Sequence, residues 1–428
     1  MVFRSRVGVV TLLSAFFLSP TIAVVAADAP APNFELAPDD WPWWRGPTRD
    51  GVAAAHQKPP LVWSETQNVV WKSPVPGRGH SSPTVVGDRV YLTTADVERG
   101  TQSVLCFDRT NGRSLWTTIV HTGGLPEKGH QKNSQASSSV ACDGRRLYVN
   151  FLNGDAVYTT ALDLDGRRLW QTKVDDFVIH QGFGSSPALY KSLVIVSADN
   201  KGGGAVAALD RVDGRVVWRI ERPALPNYTS PIILNVAGKD QLLLTGCDLV
   251  TSLDPLTGQK LWEIPGSTTE VVTSTVTDGR RVFSSGGYPK NHLAAIAADG
   301  SGKIEWESDS RVYVPSLLTR DGYLYGVLDN GVAVCWESST GKEIWKERLG
   351  GTFSSSPVMV GDLIFAIDET GKAAIFRASP TEFEAMGSNQ LGDEAFASPT
   401  VCGDRIYLRV ATTTDGVRQE TLYCLGKR

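Results

Sequence analysis

Two arginines and two glutamates fall at one repeated offset in this chain. Arg78, Glu270, Arg311 and Glu394 each lie five places before a position that recurs eight times, at Pro83, Ser139, Pro187, Pro231, Thr275, Ser316, Pro357 and Pro399. His80, Lys132, Asn133, Gln135, His180, Gln181, Tyr228 and Tyr313 stand close by in sequence. If these segments converge, they bring both charge signs, imidazoles, amides and phenols to one place. Such a set suits a small polar ligand, a carbohydrate or a peptide, and His80 and His180 could carry protons near neutral pH. The competing reading is that Arg78, Glu270, Arg311 and Glu394 form salt bridges that only seal a wet channel.

Convergence depends on the elements that carry these residues. Each of the eight positions opens a short apolar run, and in most copies a Gly-Asp or Asp-Gly pair follows, as at Gly87-Asp88, Asp143-Gly144 and Gly403-Asp404. Such pairs accept the positive φ of a two-residue hairpin. A second half follows and ends in tryptophan: CFDRTNGRSLW to Trp116, ALDRVDGRVVW to Trp218, SLDPLTGQKLW to Trp262 and CWESSTGKEIW to Trp345, with looser copies at Trp170 and Trp306. A glycine stands four residues before each of these tryptophans. It permits the turn, and the indole buries a large face. A period of 40 to 50 residues made only of strands predicts a closed ring of sheets, an eight-bladed β-propeller. The first strands of all blades then meet at the axis, and the offset residues surround the channel mouth.

The two chain ends predict how the ring closes. The eighth copy stops at Arg428 before any tryptophan strand, whereas Asn68-Val69-Val70-Trp71-Lys72 near the start has the missing pattern. Pairing the two would leave no open edge. The seventh copy, AIFRASPTEFEAMG from Ala374 to Gly387, has no tryptophan. Just upstream of the repeats, Trp41-Pro42-Trp43-Trp44-Arg45-Gly46-Pro47 concentrates three indoles and an arginine. It reads either as a plug on one face of the ring or as an exposed ligand platform. The insertion HTGGLPEKGHQKNSQ, from His121 to Gln135, lengthens the first repeat and reads as a lid or partner-binding loop beside the mouth. Its histidines do not have the spacing of a two-His-plus-carboxylate metal site, and no metal is expected.

The motif Ala-x-Asp-x-x-Thr-Gly-Lys-x-x-Trp resembles the tryptophan-docking motif of the pyrroloquinoline quinone (PQQ) repeat propellers, over nearly all of the chain from Trp71 onward. The resemblance implies that Trp71, Trp116, Trp170, Trp218, Trp262, Trp306 and Trp345 pack between neighbouring blades. It implies one of three functional branches: PQQ- and calcium-dependent dehydrogenases of alcohols or sugars, BamB-like propellers that bind other proteins without a cofactor, and secreted bacterial propellers of unassigned activity. The Trp-x-x-Trp-Arg-Gly-Pro opening brings the chain nearest the third. Fold kinship does not choose among them. The chain has neither an adjacent cysteine pair nor a Cys-x-x-Cys-His haem motif. The expectation is therefore a ligand- or protein-binding scaffold without cofactor, with a PQQ-dependent oxidoreductase as the alternative.

Arg4 and Arg6 precede the apolar run from Val7 to Leu18, and Val25-Ala26-Ala27 offers small residues for cleavage. Residues 1–27 therefore read as a secretory leader, 28–40 as a flexible linker and 41–428 as the propeller. The mature chain is expected to be periplasmic or secreted, monomeric and without a membrane span, with an envelope protein, peptide or carbohydrate as partner. Its formal charge of −4 becomes −6 once Arg4 and Arg6 leave with the leader, which argues against nucleic acid. Cys106, Cys335 and Cys424 share one slot of the repeat and Cys142 and Cys402 another. Equivalent slots in different blades are too far apart to bridge, so these read as small buried side chains rather than disulfides.

Overall fold

The computed structural model describes Met1 and residues 33–427. The leader expected over residues 1–27 lies, Met1 aside, outside the described residues. The described chain forms eight antiparallel meander sheets, the predicted eight-bladed β-propeller. In the first blade the strands are Thr84–Val86, Arg89–Asp96, Thr101–Asp108 and Ser114–Thr122. The two middle strands are buried along nearly their whole length, because neighbouring blades cover both faces. Covered on both faces, these strands show no in-out alternation, and they bury Thr93, Thr94, Gln102 and Ser103 along with their apolar residues. The hairpin glycines Gly87, Gly144, Gly361 and Gly403 all adopt positive φ.

The last blade is completed from the other end of the chain. Val69–Val75 pairs antiparallel with Val417–Leu425, setting Trp71 opposite Cys424 and Lys72 opposite Tyr423. This is the closure predicted from the two ends, and it leaves no open edge at the seam. The seventh blade gains an unpredicted fifth strand, Val52–Ala53, which runs parallel to Val358–Val360.

Trp71, Trp116, Trp170, Trp218, Trp306 and Trp345 each donate an indole N–H to a backbone carbonyl of the next blade, those of Arg109, Leu164, Arg211, Pro255, Ser338 and Ser379, at 2.9 to 3.3 Å. Five of these rings lie on the repeat glycine of that blade; a Cβ on Gly112 would come within 2.4 Å of the Trp71 ring. Trp262 departs from the pattern. It donates within its own blade to Gln241 at 2.8 Å, and Ile264 lies over Gly302 instead. In the seventh blade Gly387 stands opposite Ile375, where the other blades place their tryptophan. The gap is filled from outside the repeat: Trp63 is buried and stacks on Phe365 at 6.5 Å, with its backbone N–H on the Asn389 side chain.

Strand register corrects the alignment in two copies. Thr84 pairs with Tyr91, and the matching pairs are Ala141 with Tyr148 and Leu318 with Tyr325. Val140 and Leu317, not Ser139 and Ser316, are therefore the equivalents of Pro83. The serine before each corrected position makes a ring around the axis. Backbone N–H of Ser82 donates to Ser139 Oγ, Ser139 to Ser186, Ser186 to Ser230, Ser274 to Ser316, Ser316 to Ser356, Ser356 to Ser398 and Ser398 to Ser82.

The segment expected to be a linker is docked from Phe34 onward. Phe34 meets Trp43 edge-on at 5.5 Å, and the Glu35 N–H donates to Asp143 O at 2.9 Å. All six cysteines are buried and free. Burial pushes the Cys106, Cys335 and Cys402 thiols up to about 12.

Two outcomes follow. Deleting residues 61–75 removes the seam strand together with Trp63, and circular dichroism is expected to show the whole domain unfolded; a folded monomer would refute closure by this strand. Thiol titration at pH 8 should find the cysteines unreactive in the native protein and all six free after denaturation.

Candidate functional site

The tryptophan-rich segment is a plug at one end of the channel. Trp41 exchanges two backbone hydrogen bonds with Val85 of blade one, and Pro42 O accepts from Cys142 of blade two. Arg49 donates to Leu189 O of blade three at 2.6 Å. Trp44 packs against the apolar cluster shared by blades four and five, and its indole donates to Ser274 Oγ at 2.8 Å. That contact falls at the one break in the serine ring. Arg45 is fully enclosed and reaches Leu317 O of blade six at 2.6 Å, Pro357 O of blade seven at 3.1 Å and Asp50 O at 2.7 Å. Lys58 N–H donates to Asp404 in the first hairpin of blade eight. The fold of the plug needs its glycines: a Cβ on Gly46 would meet Trp41 at 2.8 Å, and one on Gly51 the Arg45 guanidinium at 2.6 Å.

Burial pulls the Arg45 guanidinium down to about 10, so it remains charged at neutral pH. Three carbonyls replace its water shell. Arg45→Leu is expected to leave them unpaired and to lower stability by about 3 kcal/mol. Urea unfolding of the pure variant checks this, and an unchanged midpoint would refute the hub role.

With one end plugged, the other is a blind cavity of about 480 Å³ at the mouth, floored by Trp44 and by Ser82, Ser186, Ser230 and Ser398 of the ring. All eight residues three places before the corrected repeat position line it: His80, Ser137, Gly184, Tyr228, Val272, Val314, Ser354 and Phe396. Successive residues of an extended chain face opposite sides, so the residues one and three places before it turn to the axis together. The offset of five used from sequence carries Gly182, Arg311 and Thr352 into the cavity, and Arg311 only through the one-residue slip at Ser316.

Of the residues expected at the mouth, His80, Lys132, Asn133, Gln181, Tyr228, Arg311 and Tyr313 line the cavity. Arg78, Gln135, His180, Glu270 and Glu394 are not among its lining residues. Arg78, Glu270 and Glu394 instead bridge to Ala95, Tyr288 and Ala411 through their backbones. Nor do the four rim charges pair with one another. Glu270 is buried against His180 Nε2 at 3.1 Å, Arg311 Nε holds Asp329 at 2.9 Å, and Glu394 pairs with Arg418. Gln135 donates to Pro126 O in the insertion, and His121 lies between Phe151 and Tyr158. The salt-bridge seal among Arg78, Glu270, Arg311 and Glu394 does not form.

Sequence reasoning missed Phe183, Phe353, Phe396, Asp329 and Glu369, all of which line the cavity beside Trp44 of the plug. Phe396 stacks on His80 at 4.5 Å, and Arg311 lies over Tyr313 at 5.2 Å. The insertion crosses the mouth as a strap. Its His130 N–H donates to Gln181 O at 2.7 Å, and Lys132 Nζ reaches both oxygens of Glu369 in blade seven at 2.7 and 2.8 Å. Burial, reinforced by Arg78, Arg409 and Arg418, holds His80 well below the usual histidine range, so its imidazole is neutral. Burial, with Glu270 adding to it, raises both Tyr228 and Tyr313, which stay protonated. The arrangement offers flat apolar walls, neutral hydrogen-bonding groups and charges already matched in pairs.

Similarity to known proteins agrees with the architecture. A family model described as "Outer membrane protein assembly factor BamB" matches residues 44–174, 100–331 and 289–381. The outer membrane protein assembly factor BamB of Burkholderia pseudomallei is 26% identical over 81% of this chain and 86% of its own length. A polyvinylalcohol dehydrogenase of a Sphingopyxis species is 23% identical over 88% of this chain but only 56% of its own length. Among solved structures, a europium-containing methanol dehydrogenase superposes with a TM-score of 0.67 at 13% identity, covering 92% of this chain and 99% of that one, a likeness of fold. With eight blades, six of which dock a tryptophan on the next, and a family model matched over most of its length, the chain belongs to the BamB-like family of PQQ-repeat propellers.

Proposed function

We propose that the protein is a periplasmic or secreted binding scaffold, without catalytic chemistry of its own, that seats a ligand or a segment of a partner in the blind cavity under the strap. The observation that carries this reading is the cavity itself. Its volume is that of a small-molecule site, and its walls combine aromatic faces with a few polar groups. The leader motif at Arg4 and Arg6 supports export, and an envelope protein is a candidate partner because the relative from Burkholderia is named as an outer membrane assembly factor.

A PQQ-dependent oxidoreductase is the second reading, favoured by the relative named polyvinylalcohol dehydrogenase. The residues at the mouth do not fit a calcium-bound quinone. Calcium takes six to eight oxygen donors gathered at one point. Here Asp329 and Glu369 are each engaged by a separate cation and Glu270 lies against His180, and the described residues contain no cluster of three metal-ligating side chains. No step of the function is therefore routed through that cofactor.

Adding PQQ and Ca²⁺ to the purified chain separates the two. The scaffold reading expects no rise in melting temperature and no dye reduction with alcohols or sugars. A saturable rise accompanied by turnover would establish the oxidoreductase instead.

A further inference from the structure

Each charge on the cavity wall is either matched or absent. Lys132 is held by Glu369 and Arg311 by Asp329, while His80 is neutral. A charged ligand would have to break one of these pairs, whereas an uncharged one leaves both intact.

Three lining residues also carry polar atoms shielded from solvent and without a hydrogen-bond partner: His80 Nε2, Tyr228 Oη and Asp329 Oδ1. The Tyr228 hydroxyl lies near Glu270 and the Gln181 amide without reaching hydrogen-bond geometry to either. Buried polar groups are rarely left unpaired, and three around one cavity is a concentration that calls for a partner. Side-chain rotation at each would present it to a ligand in the cavity. The three differ in kind: a carboxylate oxygen only accepts, a phenol does both, and a neutral imidazole nitrogen does one or the other. Hydroxyl groups, which donate and accept at one atom, can serve all three.

The flat rings of Phe396 and Trp44 line the same cavity. A ligand that is neutral, carries hydroxyls along its edge and presents an apolar face to aromatic rings is a sugar ring. Resting on the binding-scaffold reading above, we infer that the mouth cavity is a site for a neutral saccharide, with Tyr228, Asp329 and His80 reading its hydroxyls and Phe396 and Trp44 packing its faces.

The test is an immobilised array of neutral and acidic oligosaccharides probed with the full chain, followed by calorimetric titration of any sugar retained and of a capped, uncharged tripeptide. The inference expects a neutral saccharide to bind. Tyr228→Phe, which removes only one hydroxyl, and Asp329→Asn should each weaken that binding at least tenfold. Val417→Ala, at an exposed position in a hairpin of blade eight that does not line the cavity, should leave it unchanged. Melting curves establish that the variants are folded. Retention of acidic sugars alone, or saccharide binding indifferent to both variants, overturns the inference. Binding of the tripeptide but no saccharide, with loss in Tyr228→Phe, overturns it while the scaffold reading stands. No binding of either probe overturns both.

Discussion

A ring of sheets has to cover both faces and the outer seam of every blade, and here the N-terminal segment meets that requirement wherever the repeats do not. It supplies Val69–Val75 to the incomplete eighth blade and Trp63 to the seventh, whose own docking tryptophan is replaced by Gly387. It then supplies the plug, in which the Arg45 guanidinium ties the inner strands of blades six and seven to the chain that crosses beneath them. Burying an aromatic or aliphatic side chain of this size stabilises by about 1.5–3 kcal/mol. The seam therefore rests on several contacts from one stretch of about forty residues rather than on any single bond.

The same stretch determines what kind of site the molecule can have. By closing one end of the channel it converts a pore into a blind cavity, and Trp44 forms part of the floor. The strap over the opposite end is anchored on two blades, at Gln181 and Glu369, so the cavity is bounded at both ends by segments outside the repeat. Neither segment changes the architecture of the blades. Relatives built on the same scaffold can thus present very different channel mouths.

Much of the fold was legible because it is repeated. Eight copies average out local noise, and the glycine and tryptophan spacings announced the blades and the closing strand. The failures have particular causes. In the second copy a Ser137-Ser138-Ser139 run, and in the sixth the inverted order Pro315-Ser316, disguised the register by one residue. In a strand such a slip exchanges the two faces, and it shifted the expected rim position in those two copies, Arg311 among them. The offset of five was itself the wrong choice, since the cavity-facing residues lie one and three places before the repeat position. Trp63 was unreadable because it substitutes for a repeat residue from outside the repeat. Asp329 and Glu369 sit in later hairpins of their blades, and only the closed ring brings them to the mouth.

The central claim is that plug and blades form one cooperative unit, so that the cavity floor is as stable as the ring. Amide groups that bond plug to blade, at Trp41, Val85, Cys142 and Met359, report on this directly. Native-state hydrogen exchange under increasing denaturant should show these amides opening only with global unfolding, at the same free energy as the middle strands of the blades. Exchange of the four through a low-energy local opening, while the blade strands remain protected, would contradict the account.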